Sequence, residues 1–345
     1  MVEHKKIIIF RLDADHTIGM GHLYRMMQLG KIFDKSGYLT KFVIKANNVT
    51  KKILSINNFD HLCTPKELTE SQIIDKVLTH NEPTCWIYDV LDTQEEWISH
   101  LKKKLVYTVC IDDRNGVKNG ADIVINPIVG CWEANKIEGK KVYNGPQYAI
   151  VPEYTNTFRK IRKISPQNNT HLNIGVSMGG SDTHGSTIKI AAALNSVAHL
   201  IDCVHFHLGP SFKHYDELDS TLTDCDYNYS KISNPKNLLQ ELDKMDLVIC
   251  GGGVTLFELQ AIGMPVLAFA NELHEKKTIS YFKKHNSCID ITLNSSEDNE
   301  IARNLIKIFN NIKQLNELSS KAIKIVDVNG ANRTFELIVP NNLCK

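Results

Sequence analysis

The segment Ile7–Phe33 reads IIIFRLDADHTIGMGHLYRMMQLGKIF. Ile7, Ile8, Ile9 and Phe10 form an unbroken apolar run, the pattern of a strand buried on both faces. A polar loop follows in which Gly19 and Gly21 bracket Met20. After His22, residues Leu23, Met26, Met27 and Phe33 recur at helical spacing. Strand, glycine-bearing loop and helix in that order make an anion-binding crossover. Glycine lets backbone N–H groups approach a ligand, and the helix N-terminus carries partial positive charge. His22 stands at that helix start, where the dipole disfavours the imidazolium and leaves a neutral ring able to take a proton. The combination points to chemistry on a phosphorylated or nucleotide-linked substrate. Taken alone, the same G-x-G-H sequence equally describes a tight turn followed by a solvated histidine.

Working outward, strand-like runs at Lys41–Ile44, Cys85–Tyr88, Leu105–Ile111 and Asp122–Ile125 alternate with helical patterns. The segment Thr155–Thr170 is basic, then polar with a proline, and reads as a linker. The pattern then restarts. A strand at His171–Ser177, the loop Met178-Gly179-Gly180-Ser181-Asp182 and a helix from about Gly185 repeat the opening order. Val204, Phe206 and Leu208 alternate with His205 and His207 as in a half-buried strand. Leu247–Cys250, the triple glycine 251–253 and a helix Thr255–Ile262 follow, and Gly263 and Pro265 stop that helix. A long helical region is expected at about Asp298–Val326. The expected fold is α/β, two Rossmann-like domains with a cleft between them. Residues 1–155 would carry the His22 loop, 156–295 a nucleotide-binding domain, and 296–345 a helical extension.

Composition excludes several classes. Lys and Arg number 40 against 39 Asp and Glu, a net charge of +1, so there is no electrostatic case for nucleic acid or an anionic membrane. No apolar run approaches the roughly 20 residues of a spanning helix. The opening MVEHKK lacks the apolar core of a signal peptide, and a cytoplasmic location is expected. Nine scattered cysteines without a C-x-x-C pair read as free thiols in a reducing compartment, with Cys85, Cys110 and Cys250 inside strands. The 14 histidines show no metal-binding spacing, so no metal or cofactor is expected.

Further candidates lie where a parallel sheet opens to ligands, at the carboxyl ends of strands. Arg11 and Asp13 follow the first strand, and Asp13 is a candidate for catalysis beside His22. Arg25, one turn into the helix, is a candidate partner for a phosphate or carboxylate. Asp89 ends the strand Trp86–Tyr88, and Asp112-Asp113 end the next; capping or turn chemistry explains Asp113 as well. In the second half, Gly179, Gly180 and Ser181 suit a phosphate cradle. Gly252, Gly253 and Thr255 aim a helix N-terminus at a ligand. Glu258, one turn on, suits the two vicinal hydroxyls of a ribose, or simply stabilises the first helical turn.

The order R-x-D…I-G-x-G-H-x-x-R, then S-M-G-G-S-D, then G-G-G-V-T-L-F-E-L resembles the UDP-sugar hydrolase of pseudaminic acid biosynthesis. It equally resembles the SpsG-like spore-coat polysaccharide proteins. The likeness runs from about residue 7 to 285 and includes Cys110–Pro127 and Tyr143–Tyr154. It implies a GT-B-like architecture, related to inverting, metal-independent glycosyltransferases. The nucleotide, expected to be UDP, would lie between the 179–181 loop and the 252–258 segment. Gly21 and Asn271 would lie near the sugar. His22 would orient or deprotonate the attacking water, with Arg11 or Arg25 stabilising the departing diphosphate. One departure stands out: two residues beyond Asp89 the hydrolase carries a tyrosine, and here the residue is Leu91. Three readings follow. The first is a nucleotide-sugar hydrolase, the second a glycosyltransferase with the same donor site, and the third a binding protein without need of His22. Oligomeric state is not legible.

Overall fold

The computed structural model describes residues 6–14, 20–90, 92–113, 120–128, 141–163, 171–292 and 299–339. The chain divides into two units, one of Met1–Pro152 with Val328–Lys345 and one of Glu153–Asp327.

The first unit is built on strands β1 (Ile7–Leu12), β2 (Leu39–Lys45), β3 (His61–Thr64), β4 (Pro83–Asp89), β5 (Tyr107–Ile111), β6 (Ile123–Asn126) and β7 (Val142–Asn144). They pair in parallel in the order β3-β2-β1-β4-β5-β6-β7. Helices α1 (Gly21–Lys35), α2 (Asn48–Ile56), α3 (Glu70–His80) and α4 (Glu95–Lys103) provide the crossovers. Strand order reverses between β1 and β4, where Leu12 pairs with Asp89. The loops after these two strands therefore diverge, and an open parallel sheet binds its ligands at such a point.

The apolar run that opens the chain is buried on both faces. Ile8, Phe10 and Leu12 join Leu23, Met26 and Phe33 of α1 in one core cluster. Ile9 enters the opposite cluster with Trp86, Tyr88 and Ile98. Each such aliphatic side chain contributes about 1.5–3 kcal/mol of burial free energy. The strand expected from Leu105 begins at Tyr107 instead. Leu105 is 94% exposed with φ +61°, in the turn that closes α4.

The second unit repeats the plan with β8 (Leu172–Ser177), β9 (Ile201–Leu208), β10 (Asn228–Ser233), β11 (Leu247–Cys250), β12 (Val266–Ala268) and β13 (Ile289–Asp290). The parallel order is β10-β9-β8-β11-β12-β13, reversing between β8 and β11, where Ser177 pairs with Cys250. Helices α5 (Thr155–Phe158), α6 (Ser186–Leu194), α7 (Tyr215–Thr223), α8 (Leu238–Leu242), α9 (Val254–Ile262) and α10 (Glu275–Lys284) complete the layers.

Two parts of the domain plan differ from expectation. The region after 295 is not one extension. Helices α11 (Asn299–Phe309) and α12 (Ile312–Ile325) insert Ile301, Leu305, Leu315 and Leu318 into the core of the second unit. Helix α13 (Gly330–Ile338) belongs to the first unit, with Phe335 edge-on to Phe33 of α1 at a centroid distance of 4.9 Å. Gly330 permits this, because a Cβ there would collide with the carbonyl of Ala149.

The linker expected at Thr155–Thr170 is fastened down over its described part. Arg159 Nη1 donates to the carbonyl of Val326 at 3.0 Å, the N–H of Arg162 donates to Ser319 Oγ at 2.7 Å, and Arg162 pairs with Asp243. Its basic residues bind the second unit, a use that composition does not reveal. Cys85, Cys110, Cys250 and Cys288 are buried free thiols, whereas Cys131 and Cys344 lie outside the described residues.

Candidate functional site

Helix α1 starts at Gly21 with Met20 at its N-cap and no side chain capping it. Among the first residues of the helix, His22 and Arg25 are three apart and share one face. His22 Nδ1 lies 2.8 Å from Asp89 Oδ1, at the end of β4. Arg25 Nε donates to Asp89 Oδ2 at 2.7 Å, and its Nη2 meets Oδ1 of the same carboxylate. Arg25 Nη1 meets Asp112 Oδ2, just beyond β5. Asp112 Oδ1 accepts from the Ile128 N–H at 2.8 Å. Burial alone would raise the Asp89 carboxyl, but Arg25 and His22 outweigh it and hold the group below its ordinary value. Asp89 is therefore an ionised acceptor, and His22 Nδ1 lies within hydrogen-bond distance of both Asp89 Oδ1 and, at 3.1 Å, Arg25 Nη2. His22 keeps 14% of its side-chain surface, enough to meet a ligand, while Asp89 has none.

Arg25 is buried between two carboxylates, and Asp89 lies against His22. Arg11 Nε and Nη2 donate to the Glu70 carboxylate, each at 2.9 Å, and Nη1 donates to Asp13 Oδ1 at 2.7 Å. Arg11 is 2% exposed. Both guanidiniums are thus neutralised by carboxylates of the chain. Asp13 is paired with Arg11, and the carboxylate on His22 comes from Asp89. Asp113, open to a capping or turn reading, is fully buried and accepts from the Thr93 N–H at 3.2 Å, tying the loops after β4 and β5 together. Gly19 and Leu91 lie outside the described residues. Sequence reasoning missed Glu70 and the Arg25–Asp112 contact. Glu70 is 59 positions from its partner and Asp112 is 87, so no local pattern points to either.

In the second unit, Gly179 has φ +87°, and a Cβ added at Gly179 or Gly180 meets nothing within 4 Å. This loop is open to a ligand. Its far side is closed, because a Cβ on Gly209 would run into the Gly179 and Gly180 carbonyls. Sequence reasoning did not single out Gly209, whose lack of a side chain lets the 179–180 loop pack against it. Ser181 Oγ lies 3.2 Å from Thr183 Oγ1. The helix that follows is not an open anion site. Asp182 Oδ1 accepts from the Ser186 N–H and Oδ2 from the Thr187 N–H, both at 2.8 Å. A carboxylate of the chain already occupies the positive end of α6.

Helix α9 contrasts with it. Gly253 is its N-cap and no side chain caps it, so its first N–H groups remain available around Thr255. The triple glycine before it serves packing as well as access. A Cβ on Gly252 would stand 2.7 Å from Glu275 Cβ and 3.0 Å from Ile279 Cγ1. Glu275 Oε2 accepts from the Asn271 N–H at 2.8 Å, and Asn271 Oδ1 accepts from Ser186 Oγ at 2.7 Å. Asn271 thereby joins the loops after β8 and β12. Glu258, half-buried one turn into α9, has no hydrogen bond or ion pair among the described residues. Removal from water without a compensating partner pushes its carboxyl up to about 7. Such a group gains from hydroxyl donors brought by a ligand. Among the described residues no cluster of three or more His, Cys, Asp or Glu is arranged to hold a metal ion, and no helix is long and apolar enough to cross a membrane.

No protein-family model matches the chain. Over 290 residues it is 30% identical to the uncharacterized protein MJ1062 of Methanocaldococcus jannaschii, a match of 79% of this chain and 57% of that protein. The chain thus spans little more than half the length of that relative. It is 24% identical to the spore coat polysaccharide biosynthesis protein SpsG of Bacillus subtilis over 81% of this chain and 82% of SpsG. Among solved structures, Acinetobacter baumannii MurG superposes with a TM-score of 0.73 at 11% identity, over 96% of this chain and 99% of MurG. Anabaena HepE in complex with UDP-glucose gives 0.64 at 15% identity, covering 96% and 98%. The calicheamicin glycosyltransferase CalG4 gives 0.62 at 10% identity, covering 98% and 100%. Two parallel sheets, each with one reversal of strand order, account for the structural likeness. The chain is similar in sequence to SpsG and has the GT-B fold.

Proposed function

We propose that this protein is an enzyme of polysaccharide biosynthesis that uses a nucleotide-sugar as donor, with His22 as the base. The observation that carries the proposal is the 2.8 Å contact of His22 Nδ1 with buried Asp89, which leaves Nε2 as a proton acceptor at an uncapped helix start. The name of SpsG and the UDP-glucose complex of HepE support the donor class. Nucleotide binding is assigned to the second unit. The open 179–180 loop and the uncapped α9 N-terminus suit a diphosphate, and Glu258 suits ribose hydroxyls.

The reaction read first is hydrolysis of a UDP-linked sugar. Nε2 takes a proton from water, the water oxygen attacks the anomeric carbon, and the bond from that carbon to the diphosphate oxygen breaks. UDP leaves with the electron pair, and the proton remains on His22 until solvent removes it. With both buried arginines neutralised, backbone N–H groups would meet the departing charge. Transfer to a sugar hydroxyl in place of water is the second reading, favoured by structural neighbours such as CalG4 that are named glycosyltransferases.

The test is nucleotide release from a panel of UDP-, GDP- and CMP-sugars, with and without EDTA, comparing wild type and His22→Ala. UDP release without acceptor that requires His22 supports hydrolysis. Donors that bind but stay intact until a sugar or lipid acceptor is added refute hydrolysis and establish transfer. Release that survives His22→Ala unchanged removes the base role.

A further inference from the structure

We propose that Arg25, anchored by Asp112, is a positioning residue that holds Asp89 against His22 and so keeps the imidazole in its Nδ1–H form with Nε2 as the base. The inference rests on the reading of His22 as the base.

The geometry is specific to a guanidinium. Its fork contacts both oxygens of Asp89 through Nε and Nη2 and one oxygen of Asp112 through Nη1. Asp89 Oδ1 is shared between Arg25 Nη2 and His22 Nδ1, so the position of the oxygen that orients His22 is set by Arg25. A lysine ammonium is a point donor and cannot span these three oxygens in one plane. Asp112 is fixed in turn. Its Oδ1 accepts the Ile128 N–H at 2.8 Å, and its own N–H donates to the Ile125 carbonyl at 3.0 Å. Its φ of +50° is left-handed, a conformation that disfavours a residue with a side chain by about 1–2 kcal/mol. Glycine would relieve that strain but would leave Arg25 Nη1 without this carboxylate.

Charge explains why loss of Arg25 would reach His22. Asp89, Asp112 and Arg25 are all at most 5% exposed. Without the guanidinium, two buried carboxylates share one site with no cation between them, and one takes up a proton. Asp112, whose carboxyl burial already holds above its ordinary value, is the one to take it up, and Asp89 Oδ1, no longer held by Arg25 Nη2, is free to turn away from His22 Nδ1. The imidazole proton then resides on Nε2, the lone pair turns inward, and the base is lost. A purely structural ion pair would hold the sheet edge together without controlling which ring nitrogen carries the proton.

The test uses the full chain with 15N-labelled histidine, His22 being assigned by difference against His22→Gln. Long-range 1H–15N correlation at pH 7.5 reads which ring nitrogen of His22 is protonated. Arg25→Met is expected to move the proton to Nε2 and to lower kcat for nucleotide release about 100-fold at unchanged KM. Arg25→Lys is expected to recover only part of that loss. Asp112→Asn serves if Arg25→Met does not fold. Its carbonyl can still accept the Ile128 N–H while its NH2 turns toward Arg25, and about a tenfold loss of kcat is expected. Folded Arg25→Met or Asp112→Asn protein that retains Nδ1–H and wild-type kcat overturns the inference, whatever His22→Ala does. A proton moved to Nε2 with nucleotide release unchanged upholds the positioning role and instead refutes His22 as the base.

Discussion

Replacing Glu258 by glutamine tests whether the half-buried carboxylate of α9 meets the ribose. In the free protein its carboxyl stands at about 7, because it is removed from water with no partner. Two ribose hydroxyls donating to it would favour the ionised form and return it toward the ordinary carboxylate range. Binding at acid pH then requires the site to lose a proton. At pH 5 a group titrating near 7 is about 99% protonated, so affinity for the donor falls up to about 100-fold between pH 8 and pH 5. The probe is UDP-glucose, whose diphosphate is esterified at both ends and does not titrate in this window. Calorimetry in the His22→Ala background keeps it intact. In buffers of different ionisation enthalpy, binding at pH 5–6 should release close to one proton. Glu258→Gln should bind with a Kd nearly independent of pH and release none. An equal pH slope in the two proteins, or a flat Kd in both, refutes the assignment of Glu258 to the ligand.

Glu258 also bears on stability. Its folded value is raised above the unfolded one, so the folded state binds more protons between about 4.5 and 7 and stability falls as pH rises through that window. Glu258→Gln is expected to be more stable than wild type at pH 8 by about 1–3 kcal/mol and to lose that advantage at pH 5, read by urea unfolding. Gly252→Ala places a methyl 2.7 Å from Glu275 Cβ and should destabilise by about 1–3 kcal/mol. Gly180→Ala meets only open space; its melting temperature should stay within a degree or two of wild type while UDP-glucose affinity falls. Equal melting temperatures for the two alanine variants would contradict this division between packing and access. Asp182→Ala removes both acceptors at the start of α6 and should cost about 1–2 kcal/mol in thermal unfolding.

Much of the architecture follows from local pattern. The run Ile7–Phe10, the alternation around Val204–Leu208, and the Gly263–Pro265 stop each correspond to an element boundary or face, because 2.0 and 3.6 periodicities are properties of short segments. The positions of His22 at a helix start and of Gly179 and Gly253 after β8 and β11 were legible for the same reason. The identity of these loops as the reversal points of two sheets was not, since strand order depends on which strands pair.

The sequence by itself therefore determined two α/β halves, the glycine loops and the histidine at a helix start. All of these are encoded within windows of some 20 residues. The tertiary structure alone decided the partners of the charged groups. Arg11 and Arg25, which read as phosphate ligands, are each enclosed by two carboxylates, and of these four only Asp13 is a sequence neighbour, Glu70, Asp89 and Asp112 being brought from distant strands and helices. Asp182, next to the expected phosphate cradle, closes its own helix, whereas no side chain caps α9. A charge must be neutralised wherever the chain buries it. Its partner is chosen by distance in space, and the sequence around one residue does not contain that distance.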